Sequence, residues 1–145
     1  MEPEAAGTGR RVLAIDPGTR RVGLAISDPS RRVALGLPTF EVGHGRNFVD
    51  HLRELLRAYE VQQVVVGLPL TLAGRVGSAA QRAEALARRL RRELGIPVAL
   101  CDERLTTAQG KRVLRGTGAP RTARDRLAAT LLLQGYLDRE GGRAS

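Results

Sequence analysis

The chain has 145 residues, of which 24 are basic and 15 acidic, so its formal net charge is +9. This length suits one domain, and a hydrophobic fraction of 42% supports a core that must be aliphatic, because aromatic residues make up only 3%. The charge favours a polyanionic partner, most often nucleic acid, although a basic surface that only aids solubility is the alternative. No apolar run approaches the roughly 20 residues that cross a bilayer, so no membrane partner is expected.

The single cysteine and the two chain ends give three further expectations. Cys101 lies within IPVALCD, which predicts a buried strand thiol, and one cysteine cannot form an internal disulfide. The segment MEPEAAGTGR lacks the apolar core of a signal peptide, so we expect a cytoplasmic protein. Residues 1–10 and 140–145 are predicted to be flexible tails around one domain over residues 11–139.

The N-terminal part of the chain predicts three β-strands followed by a helix. RVLAI and VGLAISD are apolar runs joined by a Pro-Gly turn, and RVALGLPTFEV is a third run. The short connections favour an antiparallel meander. Phe48, Leu52, Leu55 and Leu56 then recur at helical spacing, which predicts a helix from about Asn47 to Tyr59.

Strands and helices alternate in the rest of the chain. VQQVVVGLPL and IPVALCD predict strands, and a helix is predicted between them from Ala79 to Leu94, ended by Gly95. A short helix at residues 107–114 and a final helix at residues 121–139 complete the order. This alternation predicts an α/β fold, namely a three-layer sandwich with a five-stranded mixed sheet and helices on both faces.

Four acidic residues fall at positions that a solvated role does not explain. Asp16 ends the first strand, Asp102 and Glu103 end the fifth, and Asp125 lies in the first turn of the last helix. Because the carboxyl ends of parallel strands share one rim, Asp16 and Glu103 are expected there, with Asp125 placed between them by the helix. Converging carboxylates repel one another unless hard divalent cations bind them. Two such ions about 3.5–4 Å apart can activate a water against a phosphodiester.

Each acid also has a structural interpretation. Asp16 precedes a Pro-Gly pair and could be a turn residue. The acids that end the fifth strand could pair with Arg104, although exposed ion pairs contribute little to stability. Thr122 and Asp125 have the spacing of a capping box, with Asp in place of the usual Glu or Gln. The residues alone leave a cation site and these structural roles open.

Basic residues flank the acids in two segments. The loop within VGLPLTLAGRVG could hold a phosphate through its amides and Arg75, or be a plain strand-to-helix connection. TTAQGKRVLRGTGAPRTARDR surrounds a Gly-Thr-Gly loop with cations suited to a phosphate backbone. The predicted nucleic-acid-binding residues are Arg20, Arg75, Arg104, Lys111, Arg112, Arg115, Arg121, Arg124 and Arg126.

Four motifs, in order along the chain, resemble those of the YqgF/RuvX family. They are AIDPGTRRVGLAISD, VVVGLPLTLAG, DERLTT and ARDRLAAT, and the resemblance extends over residues 11–137. It implies an RNase H-like fold and a divalent-metal-dependent nuclease of the kind called pre-16S rRNA nuclease or Holliday-junction-resolvase-like. The family's acids correspond to Asp16, Glu103 and Asp125, with Asp102 as a candidate accessory ligand.

Two sites depart from the family pattern. The family usually reads GLPLNMDG where this chain has Thr71 and Ala73, and it commonly has Asp-Ser where this chain has Asp125-Arg126. These departures leave the three acids in place but remove a polar and an acidic side chain from the loop.

The resemblance implies hydrolysis of phosphodiester bonds, with Mg²⁺ or Mn²⁺ held in a two-metal site, during processing of the 5′ end of pre-16S rRNA. The alternatives are a nuclease for branched DNA such as Holliday junctions and a catalytically silent nucleic-acid-binding module. DPGT also resembles the phosphate-binding turn of actin-like ATPases, but those enzymes need two such domains. An RNA precursor is the expected partner ahead of branched DNA, and the protein is expected to be a monomer or a weak homodimer.

Overall fold

The structure is a computed structural model that describes residues 10–69, 77–103 and 120–144. Its strands are β1 (Arg11–Asp16), β2 (Arg21–Ser27), β3 (Ala34–Glu41), β4 (Val61–Leu68) and β5 (Val98–Asp102). Its helices are α1 (Phe48–Ala58), α2 (Ser78–Leu94) and α3 (Arg121–Ala144). Helix α3 continues five residues past its predicted end at Arg139, and the short helix predicted at residues 107–114 lies outside the described residues.

The sheet has the strand order β3-β2-β1-β4-β5. Strands β1, β2 and β3 pair in antiparallel fashion, whereas β1 pairs with β4 and β4 with β5 in parallel. The predicted meander and mixed sheet are therefore confirmed. The carboxyl ends of β1, β4 and β5 lie at one rim of the sheet, where β2 begins and β3 ends.

Side-chain alternation along the strands divides the interior into two cores. One core joins the sheet to α1 and α2 through residues such as Leu13, Ile15, Val49, Leu52 and Leu90. The other joins the sheet to α3, and its buried members are Val12, Ala14, Ala25, Ala34, Val65, Cys101, Ala129, Leu132, Leu133 and Leu137. Helices therefore cover both faces, as predicted. The sheet contributes small residues to the second core, which lets α3 lie close to it.

The helix ends follow local sequence signals. The Asn47 side chain accepts a hydrogen bond from the Asp50 N–H at 3.1 Å and caps α1. Gly95 ends α2 with a left-handed φ of 68°, as its position in the sequence predicted. In the described part of the chain, no helix combines the length and the apolar character needed to cross a membrane.

One carboxylate organises the connection between β2 and β3. Asp28 Oδ1 accepts from the backbone N–H groups of Arg32 and Val33, both at 2.8 Å. Its Oδ2 accepts from the Ser30 N–H at 3.1 Å and from the Ser30 hydroxyl. Slight burial raises the pKa of Asp28, but these hydrogen bonds outweigh burial and hold that pKa below its usual range.

Replacing Asp28 by alanine is expected to lower the free energy of unfolding by about 1–2 kcal/mol, because three backbone N–H groups lose a charged acceptor. Asp28→Asn is the matched control and should lose less, because its carboxamide oxygen keeps two of the acceptor contacts. Since the folded pKa lies below the unfolded value of 3.8, this stabilisation is present above pH 3.8 and is lost as pH falls through the folded pKa. Urea unfolding at neutral and acidic pH measures it, and equal stability of wild type and Asp28→Ala would contradict it.

Candidate functional site

The rim at the carboxyl ends of β1, β4 and β5 brings two of the predicted acids into contact. Asp16 is the last residue of β1, and Glu103 directly follows β5. Their carboxyl groups share a hydrogen bond. Strand alternation puts Asp16 on the face of Ala14, which is the face covered by α3, and Glu103 lies beside Leu132 of that helix. The expected convergence of these two side chains is therefore found.

The environment of Asp16 opposes its ionisation. Burial raises the pKa of its carboxyl group to about 9, with further contributions from the hydrogen bond to Glu103 and from the charges of Glu103 and Asp125. Asp16 therefore carries a proton at neutral pH when no cation is near. An exposed turn residue would have neither this burial nor two acidic neighbours, so the environment argues against a mere turn role.

Asp125 faces the same rim from α3, and its capping-box interpretation is wrong. The Arg124 N–H already donates to the Pro120 carbonyl at 3.1 Å, so the helix begins before Thr122 and Thr122 cannot be its cap. The side chain of Asp125 instead forms an ion pair with Arg21, with 2.8 Å between Oδ2 and Nε. Both side chains are about one-third exposed or less, at 33% and 26%.

The three acids are neighbours without forming a closed cation cage. Among the residues that the structure describes, no group of three or more His, Cys, Asp or Glu side chains has an arrangement that could hold a metal ion. Arg21 engages Asp125, while Asp16 and Glu103 contact each other. The described arrangement is thus a protonated Asp16 carboxyl that contacts Glu103, with the arginine-bound Asp125 beside them.

Two glycines make this close approach possible. Gly23 pairs with Asp16 across β1 and β2, and Gly67 lies on the other side, next to the Ile15–Val66 pair. A Cβ at Gly23 would overlap the backbone oxygen of Asp125. A Cβ at Gly67 would lie 2.9 Å from both Glu103 Oε1 and Leu132 Cδ2. The missing side chains leave the space in which α3 and Glu103 reach the rim.

Sequence reasoning missed Arg21 and both of these glycines. Alternation within RVGLAIS was the available signal, because it puts Arg21 and Gly23 on the face of the buried Ala25. The accessory candidate Asp102 follows Cys101 in the strand, so alternation directs it to the face of α1 and α2. Glu103, and not Asp102, therefore reaches the α3 face.

Four of the predicted nucleic-acid-binding residues lie in the described part of the chain, and all four are exposed. Arg20 precedes β2 at the rim, and Arg121 and Arg124 lie in the first turn of α3. The Arg126 stem crosses Gly36 of β3. The other predicted contacts and the two loop departures lie outside the described residues, namely Arg75, Arg104, Lys111, Arg112, Arg115, Thr71 and Ala73.

Similarity to known sequences extends over nearly the whole chain. A family model described as "RuvX: Holliday junction resolvase" matches residues 10–139. A Moorella thermoacetica protein named "Putative pre-16S rRNA nuclease" is 43% identical over 135 residues, which cover 90% of this chain and 96% of the relative. A Koribacter versatilis protein of the same name is 40% identical over 142 residues, covering 95% of this chain and 93% of the relative.

Two solved structures share the fold at low sequence identity. Thermus thermophilus RuvC in complex with a Holliday junction substrate is 18% identical with a TM-score of 0.57, covering 90% of this chain and 96% of that one. Fowlpox virus resolvase with substrate Holliday junction DNA is 11% identical with a TM-score of 0.55, covering 90% and 98%. The predicted RNase H-like fold is confirmed by this likeness, which at such identities concerns the fold alone.

Proposed function

Because the chain belongs to the RuvX family, we propose that it is a nuclease that hydrolyses phosphodiester bonds where Asp16, Glu103 and Asp125 meet. The observation that carries this proposal is the buried Asp16 carboxyl, whose pKa is raised to about 9 beside two further acids. Such an arrangement destabilises the fold at neutral pH, and a functional site explains its presence. The names of the relatives support pre-16S rRNA as the substrate, with processing at its 5′ end.

The acids fit a hard divalent cation. Carboxylate oxygens are the ligands that Mg²⁺ and Mn²⁺ prefer, and Asp16, Glu103 and Asp125 supply them. A cation there would relieve the same repulsion that now keeps a proton on Asp16. When bound, one or two such ions supply Lewis-acid activation of a water and neutralise charge on the phosphate. Metal dependence and a two-metal site are therefore part of the proposal.

The chain's own residues have distinct roles in this proposal. Asp16 and Glu103 would hold, at the end of the sheet, the cation that neutralises charge on the reacting phosphate. Arg21 orients Asp125 through its contact with Oδ2. The net charge of +9 supports a polyanionic substrate. Phosphates on either side of the cleaved bond are held by the exposed cations Arg20, Arg121, Arg124 and Arg126. The cations proposed from sequence in residues 70–76 and 104–119 would add to them. We place the protein in the cytoplasm, as a monomer or weak homodimer.

Branched DNA is the second candidate substrate. The description of the matching family as Holliday junction resolvase favours it. A resolvase must cut two strands symmetrically, so this alternative requires a dimer with paired active sites. Oligomeric state in the presence of a four-way junction therefore distinguishes the two substrates.

Cleavage assays test the nuclease proposal directly. Labelled single-stranded RNA, single-stranded DNA and a four-way junction are incubated with wild type, Asp16→Asn or Asp138→Asn, in Mg²⁺, Mn²⁺ or EDTA. Asp138 is an exposed aspartate on α3 outside the rim and serves as the matched control. We expect RNA cleavage that needs the metal, is normal in Asp138→Asn and falls more than about 100-fold in Asp16→Asn, a larger loss than outer-shell partners cause.

Three outcomes would change the proposal. Cleavage that persists in EDTA or in Asp16→Asn would contradict the role of the acids. Cleavage confined to the junction would favour the resolvase alternative. Binding without cleavage under every condition would favour the silent module.

A further inference from the structure

A cleft lies at the same rim of the sheet, between the end of β3 and the start of α1. Its volume is about 350 Å³, and its lining includes Thr39, Phe40, Glu41, His44, Arg46 and His51. This volume is within the range of sites that hold small ligands. None of these residues belongs to the acid site, so the cleft requires its own explanation.

The cleft is connected to the acid site through β2 and α3. Glu41 pairs with Arg21 across β2 and β3, and Arg21 contacts Asp125. Thr39 Oγ1 donates to the Thr122 carbonyl of α3 at 2.8 Å. Strand β3 lies two strands from β1, which is about 10 Å at ~4.8 Å per strand. A stacked strand rises about 3.4 Å per nucleotide, so a strand held at the acids needs at least about three nucleotides to reach the cleft.

The cleft presents a cation that is held in place. The Arg46 guanidinium lies 5.9 Å from the centre of the Phe40 ring, and its Nη2 donates to His51 Nδ1 at 2.8 Å. Because arginine only donates, His51 must accept through Nδ1. Burial, and then the charge of Arg46, lower the pKa of His51, so His51 stays neutral in this acceptor role. Nη2 of Arg46 also forms an ion pair with Glu54 Oε1 at 4.0 Å, and the Arg46 side chain is 61% exposed. Within the described residues, the polar contacts of Arg46 use Nη2 only, so its other guanidinium nitrogens are open to a further acceptor.

The loop that carries Arg46 has a defined backbone path. Gly43 and Gly45 have φ values of 85° and 80°, in the left-handed region that favours glycine. These two residues alternate with His44 and Arg46, which both line the cleft. The loop therefore places two basic side chains together at the mouth of the cleft.

We propose that this cleft binds a phosphate of the nucleic-acid strand, at least about three nucleotides from the cleaved bond, with Arg46 as the contacting cation and His51 as its positioning residue. A guanidinium fork matches the oxygens of a phosphate. Phe40 is only 4% exposed, so it supports Arg46 and does not offer a face for base stacking. Glu41 lies 3.5 Å from His44 and opposes an anion, so the cleft binds less tightly than its cations alone would allow. The inference rests on the proposed nuclease for its substrate but on different residues.

Binding of single-stranded RNA in EDTA tests this subsite without requiring cleavage. Arg46→Gln, Arg46→Lys and Glu41→Gln are compared in the Asp16→Asn background, with Arg57→Gln as the matched loss of an exposed arginine in the last turn of α1. Fluorescence anisotropy gives the Kd of each variant across a salt series, for one RNA of about 12 nucleotides and another of about 3 nucleotides. The shorter RNA cannot span both the acids and the cleft. Thermal unfolding of each variant establishes that it is folded.

For the longer RNA, Arg46→Gln should raise Kd about 5–10-fold and lower the slope of log K against log salt by about 0.7, the value for one phosphate contact. Arg46→Lys should keep the slope, Glu41→Gln should tighten binding about 2-fold, and Arg57→Gln should change Kd less than about 2-fold. Equal losses in Arg46→Gln and Arg57→Gln would overturn the subsite. If wild type cleaves nothing but Arg46→Gln shows this selective loss, the nuclease proposal fails and the subsite stands. If wild type cleaves RNA and Arg46→Gln binds it normally, the nuclease proposal stands and the subsite fails.

Discussion

Replacing Asp16 by asparagine is expected to stabilise the metal-free protein by several kcal/mol at mildly alkaline pH. Burial, the hydrogen bond to Glu103 and the charges of Glu103 and Asp125 raise the pKa of Asp16 from 3.8 to about 9. An asparagine has no proton to lose and can still donate a hydrogen bond to Glu103. The variant therefore removes an unfavourable ionisation while it keeps the shape and the hydrogen bond of the protonated acid.

The raised pKa of Asp16 sets the pH range in which wild type loses stability relative to Asp16→Asn. Between pH 3.8 and about pH 9 the folded state binds one proton more than the unfolded state does. The stability contributed by Asp16 is therefore fully present below pH 3.8 and is lost as pH rises through 9, at up to about 1.4 kcal/mol per pH unit. Urea unfolding of wild type and Asp16→Asn across this window measures the difference. Parallel curves for the two proteins would contradict the buried, protonated carboxyl.

Adding a divalent cation provides a second test of the Asp16 carboxyl. Mn²⁺ should raise the Tm of wild type at alkaline pH, because a cation takes over the role of the proton on Asp16. The same addition should leave Asp16→Asn nearly unchanged, whereas Asp138→Asn should respond as wild type does. An equal shift in all three proteins would mean that the cation binds elsewhere, even if Asp16 titrates as expected.

The contact between Asp16 and Glu103 could be predicted because it follows from topology. Apolar runs and helical spacing are local signals, and they determine which strands are parallel and which rim their carboxyl ends share. Once β1 and β5 are parallel, the acids at their ends share one rim, and Glu103 reaches Asp16 across Gly67 of the intervening β4. Alternation could have placed Arg21 on the α3 face, but the role of Gly67 depends on how closely Glu103 and Leu132 of α3 approach the sheet, which no local pattern encodes.

The capping box, which was the structural alternative to a cation site for Asp125, is wrong for a physical reason. Pro120 directly precedes the helix, and its carbonyl accepts the first hydrogen bond of α3 from the Arg124 N–H. This proline starts α3 ahead of Thr122 and turns a cap-like motif into an interior one. The side chain of Asp125 therefore has no capping role, and it accepts a hydrogen bond from Arg21 at the rim of the sheet.

Replacing Gly23 by alanine is expected to lower the free energy of unfolding by about 2–3 kcal/mol and to reduce activity further than this loss explains. The added methyl group would overlap the backbone oxygen of Asp125 and lie 3.3 Å from Ala129 Cβ. A backbone atom inside a packed helix cannot turn aside, so α3 must move away from the sheet. That movement carries Asp125 away from Asp16.

Gly36→Ala is the matched control, because Gly36 also lies in a strand of the meander beneath α3. There the added methyl group would meet the Arg126 side chain, whose flexible stem can adopt another rotamer, and the hydroxyl of Thr130 at 2.9 Å. We expect a loss below about 1 kcal/mol and no change in the pH dependence attributed to Asp16. Urea unfolding of both variants across pH makes the comparison, and a cleavage assay on Gly23→Ala measures its loss of activity. Cleavage by Gly36→Ala is not part of the control, because Arg126 is a proposed phosphate contact. If both variants lose the same free energy of unfolding, general crowding beneath α3 explains the loss. Gly23 would then have no specific role in bringing Asp125 close to Asp16.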